Sequence, residues 1–370
     1  MSCSWPNVRL GEYVFYWLQS PVAQRKLDEV SIGSTQRALT IVALKSVEIP
    51  LPPRAVQARV VDIAMSLDQK LETNRNINQT LEQMAQAIFK SWFVDFEPVK
   101  AKVAALEAGG SEEDTLLAAM QAISGKDETE LSRLQAEQPE QYAELRATAK
   151  LFPSAMQDSE LGAIPEGWSV GQLAELIQFN PRRSLKKGSL SPYLDMKNVP
   201  TSGHLAEEVV LREMNSGTKF INGDTLLARI TPCLENGKTA YVDFLENGQV
   251  GWGSTEYIVM RSQELYPESI SYFIARDTNF RQHAILSMTG TSGRQRANAK
   301  ALAGLPWIIY PRALAEAFNQ FAYPYLKLAR SYGNEFKSLS AIRDALLPKL
   351  LSGELCISGA DDQCYRKGNS

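Results

Sequence analysis

The chain has 370 residues, with 39 Lys and Arg against 42 Asp and Glu, a formal net charge of −3 and a hydrophobic fraction of 44%. This composition is typical of a globular protein of two or three domains, and no apolar run approaches the roughly 18 residues of a membrane span. The N-terminal sequence does not resemble a signal peptide. The four cysteines are scattered and form no C-x-x-C pair, which favours a reducing cytoplasm over a zinc site or a disulfide framework.

Two segments share an order of elements 258 residues apart. Pro53-Arg54-Ala55 recurs as Pro311-Arg312-Ala313, and each copy runs from a polar loop through a short apolar strand and a proline into a long helix. Identities between the copies are sparse, but a repeated order of elements is typical of related halves. Residues 1–52 match only the last third of the segment that precedes the second helix.

The first long helix is predicted over residues 53–98, because proline suits the first turn of a helix. Its apolar side chains recur mostly at spacings of three and four, the period of one helix face. Asn74 and Asn78 interrupt this face, and such polar layers fix register at a cost in stability. The face comprises Val56, Val60, Ile63, Leu67, Leu71, Ile77, Leu81, Met84, Ile88 and Trp92.

A second long helix with one apolar face is predicted over residues 312–355, followed by a tail over 356–370. Pro324 lies inside it, so we expect a kink or a break there. Two helices with one apolar face each are expected to pack on each other, which predicts an intramolecular coiled-coil pair. The second face comprises Leu314, Phe318, Phe321, Tyr325, Leu328, Tyr332, Phe336, Leu339, Ile342 and Leu346.

The region between the helices changes character near residue 158. Residues 99–158 hold 6 Lys and Arg against 11 Asp and Glu and are predicted to form short acidic helices with a linker. Residues 159–311 contain short β-type runs separated by turns such as Asn236-Gly237 and Asn247-Gly248. We therefore predict an α+β chain with a β-rich domain over 159–311.

The motifs that would indicate an enzyme are incomplete in this sequence. Asn236-Gly237-Lys238-Thr239 looks like the end of a phosphate-binding loop, but Pro232 stands where that motif requires glycine. No G-x-G-x-x-G opens a βαβ unit, and two histidines leave little for a metal site or a catalytic triad. The sequence favours a protein that is not an enzyme, with no metal or cofactor of its own.

Two stretches of the β-rich domain are basic. Residues 180–198 hold five Lys and Arg against Asp195 alone, and residues 276–300 hold five against Asp277 alone. The second stretch also carries Gln295 and Asn298, whose amides suit base edges and phosphates. A DNA-binding surface and a pair of solvated loops are both compatible with this pattern.

The motifs of the β-rich domain resemble a known family. The run Phe220-Ile221-Asn222-Gly223-Asp224 through Arg229-Ile230-Thr231-Pro232-Cys233-Leu234-Glu235-Asn236-Gly237-Lys238, followed by Gly251-Trp252-Gly253-Ser254-Thr255-Glu256-Tyr257, resembles the target recognition domain of type I restriction–modification specificity (S) subunits. Ile49-Pro50-Leu51-Pro52-Pro53 through Ser91-Trp92-Phe93-Val94-Asp95-Phe96 resembles the central conserved region of that family, and Leu346 through Leu355 resembles its distal one.

The resemblance implies two recognition domains that each read half of a bipartite site in double-stranded DNA, held apart by antiparallel helices. It implies methyltransferase (M) subunits docked on those helices and a motor–nuclease (R) subunit, with S-adenosylmethionine and ATP bound by these partners only. The scattered cysteines and the lack of a long apolar run separately predict a cytoplasmic protein without a membrane partner. The alternative is a truncated scaffold that docks M subunits without specific DNA binding.

Residues 1–52 depart from the family pattern. They correspond to the C-terminal remnant of a first recognition domain and lack a counterpart of the hallmark turn, which we define as residues 229–238. We expect this remnant to read no bases as it stands. A truncated chain, a mis-assigned start and a half-specificity subunit that pairs with a second copy are all compatible with it.

The candidate residues fall into two groups. Those expected to contact DNA are Lys197, Arg229, Thr231, Asn236, Lys238, Arg294, Gln295 and Arg296, with turn formation or ion pairing as the structural alternative for the hallmark residues. Those expected on the partner-docking helices are Leu81, Phe89, Trp92, Leu339 and Leu346.

Overall fold

A computed structural model describes residues 8–32, 38–291 and 293–355, which divide into two compact units. The first unit draws on residues 1–77 and 331–370, and the second on residues 78–330. Within the described residues, no helix is long and apolar enough to cross a membrane. The predicted tail over 356–370 lies outside the described residues, and the predicted domain boundaries stay predictions.

The strands are grouped between residues 156 and 309, and most of the helices lie before or after them, so the predicted α+β class is confirmed. The helices are α1 Val8–Gln19, α2 Pro21–Val30, α3 Ile41–Lys45, α4 Arg54–Phe93, α5 Glu97–Glu107, α6 Glu112–Ser124, α7 Glu128–Glu137, α8 Pro139–Lys150, α9 Ile270–Arg276, α10 Thr278–Leu286, α11 Ala299–Ala303 and α12 Arg312–Ser352. The strands are β1 Met156–Ser159, β2 Gly162–Pro165, β3 Ser169–Gln172, β4 Ile177–Phe179, β5 Leu190–Leu194, β6 Val210–Glu213, β7 Thr218–Phe220, β8 Thr225–Ala228, β9 Thr239–Tyr241, β10 Gly251–Gly253, β11 Tyr257–Ser262 and β12 Pro306–Ile309.

The repeat predicted from the sequence is visible in the helix boundaries. Helices α3 and α11 begin 258 positions apart, and so do α4 and α12. Each long helix begins one residue after a proline, Pro53 or Pro311, whose carbonyl oxygen accepts the first hydrogen bonds of the helix. The amides concerned belong to Val56 and Gln57 in the first copy and to Leu314 and Ala315 in the second.

The short apolar strand expected before each proline is found only in the second copy within the described residues, as β12. In the first copy the residues that correspond to β12, 48–51, form no strand, and the counterpart of α11 is helix α3, which the Thr40 hydroxyl caps by accepting a hydrogen bond from the Ala43 amide. In the second copy α11 packs on β4, and Leu302 is fully buried. Its counterpart Leu44 is 47% exposed.

Helix α12 continues without interruption past Pro324, so the expected break is wrong. Proline removes one N–H from the helical ladder, which is a local loss. The buried residues Ala322 and Leu326 hold the turns on either side against the core of the second unit.

In the first unit, the lower-numbered part of α4 pairs with the C-terminal part of α12 in antiparallel order. Asn74 of α4 contacts Glu335 of α12. Asp68 lies about one and a half turns before Asn74 and contacts Arg343, which lies about two turns after Glu335. Helix α1 joins this pair through a core that comprises Tyr13, Trp17, Ala23, Val60, Val61, Leu350 and Leu351.

The second unit contains two four-stranded sheets, ordered β6-β5-β10-β7 and β4-β11-β8-β9. Strands β8 and β11 are buried along most of their length because both faces of their sheet are covered. The aromatic end of α4 packs there against α12: Trp92 and Phe318 have ring centroids 5.9 Å apart. The acidic segment forms α5 to α8, and apolar side chains such as Val99, Met120 and Leu145 join the same core.

Candidate nucleic-acid interface

The hallmark turn follows β8 and is closed by its own backbone. Hydrogen bonds run from the Leu234 amide to the Ile230 carbonyl and from the Lys238 amide to the Cys233 carbonyl, both 3.0 Å. Leu234 is fully buried beneath the turn, and Gly237 has φ +73°, a conformation that side chains with a Cβ rarely adopt. Among the polar side chains of the turn, those of Glu235 and Asn236 are exposed.

A second segment, residues 289–291 and 293–298, lies directly against the hallmark turn. We call it the distal loop. The Thr231 amide donates to the Gln295 carbonyl at 3.1 Å, and the Ala297 amide donates to the Arg229 carbonyl at 2.8 Å. Two groups of candidate residues more than fifty positions apart in sequence therefore share one surface of the second unit.

Glu256 joins a third segment to these two. Its carbonyl accepts a hydrogen bond from the Arg229 amide at 2.9 Å, and its carboxylate binds Arg296 of the distal loop at 2.7 Å. The hydrogen bonds from Arg296 hold the pKa of Glu256 below its ordinary value, so the carboxylate is ionised at neutral pH. The backbone of Glu256 is fixed as well, since its amide donates to the Ser254 hydroxyl.

The eight candidate DNA-contacting residues differ in how free their side chains are. Lys197, Asn236 and Arg294 are exposed, and the other five are half-buried. Lys238 donates from Nζ to the carbonyls of Met196 and Lys197, at 2.7 and 3.2 Å, so its charge is used to hold the neighbouring loop. This contact also brings the backbone of Lys197 to the hallmark turn.

Arg229 and Thr231 have polar atoms without partners. Among the described residues, neither Arg229 Nε nor Thr231 Oγ1 makes a hydrogen bond, although both atoms are fully covered. The ion pair considered for Arg229 from sequence is also absent from the described residues; its neighbour Glu256 binds Arg296 instead. An unpaired buried donor costs free energy, typically about 1–3 kcal/mol, and marks a site of functional interest.

Parts of both basic stretches have structural roles. In the first, Arg183 forms an ion pair of 3.0 Å with the buried Asp224. In the second, Arg276 donates to the backbone carbonyls of Thr201, Gly203, Gly237 and Thr239 and so ties two loops together. Neither the role of Arg276 nor that of Glu256 was predicted, because their partners lie 37 to 75 residues away in sequence.

The predicted docking residues are mostly interior. Phe89 and Trp92 are 3% and 1% exposed, and Leu81 is 8% exposed, so these three offer almost no surface to a partner. Leu339 and Leu346 are half-buried. The apolar face of each helix serves the intrachain core, whereas Met65, Met84, Leu328 and Ile342 are the large apolar side chains of α4 and α12 that are strongly exposed.

Comparisons with known proteins give one consistent result. The type I restriction modification DNA specificity domain matches residues 6–83. The chain is 30% identical over 363 residues to the type I restriction enzyme HindI specificity subunit of Haemophilus influenzae, covering 94% of this chain and 78% of that protein. It is 24% identical to the MjaIX specificity subunit of Methanocaldococcus jannaschii, covering 94% and 69%.

A solved structure also aligns with the chain. The S subunit of a type I restriction–modification system from M. genitalium shows 15% identity and a TM-score of 0.45, covering 92% of this chain and 72% of that one. Identity and coverage with the HindI subunit are sufficient to assign the family. The chain belongs to the specificity subunits of type I restriction enzymes, which are non-catalytic and direct DNA recognition in these systems.

Proposed function

We propose that the hallmark turn and the distal loop together form the surface with which this subunit binds its double-stranded DNA target. The observation that carries the proposal is the pair of backbone hydrogen bonds between them, Thr231 to Gln295 and Ala297 to Arg229. They bring exposed cations and amides from two distant segments onto one surface, and such a combination suits both phosphates and base edges.

The candidate side chains of this surface divide by chemistry. Lys197 and Arg294 are exposed and make no side-chain ion pair within the described residues, so they suit phosphate contacts. Asn236 and Gln295 carry amides, which pair with adenine N6 and N7 in the major groove. Phosphate contacts supply affinity for any sequence, whereas the amides supply the choice of sequence.

Salt dependence tests this division. Binding of the full chain to a fluorescent duplex is measured by anisotropy between 50 and 300 mM salt. Removing one phosphate contact lowers the slope of log K against log salt by about 0.9. We expect Lys197→Ala and Arg294→Ala each to do this, and to weaken binding several-fold on target and random duplexes alike.

Arg133→Ala serves as the matched control, because Arg133 is an exposed arginine on α7, outside the proposed surface. Its slope should equal that of the wild type. Equal losses in all three variants would point to a nonspecific charge effect. Unchanged slopes for Lys197→Ala and Arg294→Ala would reject the proposed surface.

The same proposal includes M and R partners. We infer that α4 and α12 dock the M subunits through their exposed apolar side chains, since their buried faces are already used within the chain. Co-expression with the cognate M subunit, followed by mapping of methylated adenines, tests reading and docking together. Complex formation without any methylation motif would favour the scaffold alternative, in which docking persists without specific DNA binding.

A further inference from the structure

We propose that Arg296, held by Glu256, reads a guanine in the DNA target. This inference rests on the proposed function. It assigns a base contact to Arg296 and a positioning role to Glu256. Arg296 and Glu256 come from the distal loop and from the turn between β10 and β11, segments about forty residues apart.

The carboxylate of Glu256 occupies one edge of the Arg296 guanidinium. Arg296 Nε lies 3.0 and 2.9 Å from the two carboxylate oxygens, and Nη2 lies 2.7 Å from Oε1. A guanidinium has five N–H groups in a planar fork. This contact uses Nε–H and one hydrogen of Nη2, which leaves one N–H on each of Nη1 and Nη2 pointing away from the carboxylate in parallel.

The remaining edge of Arg296 is available. The contact from Nη1 to the Arg294 carbonyl is long, 3.4 Å, and it engages at most one of the two Nη1 hydrogens. The side chain of Arg296 is 42% exposed. Two parallel donors at an exposed edge match two neighbouring acceptors, and guanine presents O6 and N7 as such a pair in the major groove.

Charge favours a base over a phosphate as the occupant of this edge. Glu256 is ionised and cancels most of the charge of Arg296, and Arg229 also lies within the field of this carboxylate. The Arg296–Glu256 pair by itself therefore attracts a phosphate only weakly. Its hydrogen-bonding geometry is unaffected by this cancellation. A neutral base edge with two acceptors therefore gains from the pair, whereas a phosphate also meets the carboxylate's negative charge.

Both members of the pair are fixed by their backbones. Arg296 exchanges two hydrogen bonds with Thr289, at 2.9 and 3.1 Å, and Glu256 accepts from the Arg229 amide. A side chain held in place before binding loses little entropy when it contacts a base. Adenine offers N7 but places a donor where guanine has O6, so we expect discrimination of about 5- to 150-fold at this position.

The test is a selection of bound duplexes from a randomised pool, performed with the full chain as wild type, Arg296→Ala and Glu256→Gln. The wild type should select a motif that contains a guanine, and Arg296→Ala should lose the preference at that one position. Glu256→Gln leaves Arg296 charged but loosely held. It should lose the same preference while binding random duplexes more tightly, with a salt slope steeper by about 0.9.

This opposite effect on affinity and selectivity separates a positioning role from a merely structural one, since a misfolded variant loses both. Glu264→Gln is the matched control: it makes the same change of charge at an exposed position outside the proposed surface and should keep the guanine. Retention of every guanine in Arg296→Ala would overturn the inference and leave the proposed function standing. A wild type without any sequence preference would overturn both.

Discussion

Asn74 Nδ2 donates to Glu335 Oε2 at 3.1 Å, which places a hydrogen bond between α4 and α12 in the interior of the first unit. Asn74 is fully buried, and its Oδ1 has no hydrogen-bond partner among the described residues. Glu335 also binds Lys70 at 3.3 Å, so it keeps an ion pair without the asparagine. The polar layer predicted from the sequence thus lies between the two helices, at a cost in stability.

Asn74→Leu is therefore expected to raise the free energy of unfolding by about 1 kcal/mol, since it removes an unsatisfied buried oxygen and adds apolar contacts. Urea unfolding followed by circular dichroism measures the change. Gln69→Leu, at an exposed position of the same helix, should change stability by less than about 0.5 kcal/mol. A clear loss of stability in Asn74→Leu would mean that the hydrogen bond from Asn74 to Glu335 stabilises the fold by more than the unpaired Oδ1 destabilises it.

Gly253 shows why the Gly-Trp-Gly motif needs its glycines. A Cβ at this position would lie 2.5 Å from the Leu194 carbonyl oxygen and 2.6 Å from the Tyr257 ring. Because β10 pairs with β5 at this point, the backbone oxygen has little room to move. We expect Gly253→Ala to cost about 1–3 kcal/mol by overpacking.

Gly304→Ala provides the comparison in the same unit, because its nearest atom would lie at 3.6 Å, an ordinary contact distance. Thermal unfolding of the two variants should show a lower melting temperature for Gly253→Ala alone. Equal melting temperatures would show that β5 and β10 separate more easily than their register suggests.

Tyr16 should titrate late in the folded protein. Burial raises its pKa to about 12, and the hydrogen bond from its hydroxyl to Asp68, 2.9 Å long, adds to the effect. The folded-state pKa thus exceeds the unfolded value near 10, so folding holds the proton more tightly. The stabilisation from this group is complete below pH 10 and is lost as the pH rises through 12.

Absorbance of tyrosinate at 295 nm, recorded from pH 8 to 12.5, tests this assignment. The late-titrating component should decrease by one tyrosine in Tyr16→Phe. The control is Tyr325→Phe, since Tyr325 makes no hydrogen bond within the described residues. An unchanged late component in Tyr16→Phe would place Tyr16 among the tyrosines with ordinary pKa values.

The sequence was sufficient for the long helices, the main β8 and β11 runs and the repeat, because each depends on local periodicity or on a capping residue. It was not sufficient to predict which charged side chains have partners in the folded protein. Arg276 and Arg296 belong to the same basic stretch, yet one binds four backbone carbonyls and the other a carboxylate. These differences depend on partners that only the folded chain brings near, so composition alone overestimated the free positive charge of the surface.

The sequence alone also does not show what covers the apolar faces of the two long helices, α4 and α12. A single apolar stripe indicates which face of a helix is covered, but it does not say whether the cover is the same chain or another one. Phe89 and Trp92 pack against Phe318 of the second unit, and truncating either is expected to destabilise that unit by about 3–5 kcal/mol. Loss of M binding in such a variant would therefore report unfolding rather than docking.

Met84 and Leu328 offer the cleaner test, because they are 43% and 46% exposed on α4 and α12. Met84→Asp and Leu328→Asp should each weaken binding of the M subunit at least tenfold in a pull-down titration, with melting temperatures within about 2 °C of the wild type. An exposed apolar side chain contributes little to folding, but a carboxylate buried at an interface without a partner costs several kcal/mol. Gln83→Asp introduces the same charge at a neighbouring position about 100° around the helix and should bind normally. Normal binding by all three variants would assign M docking to a surface other than these helices.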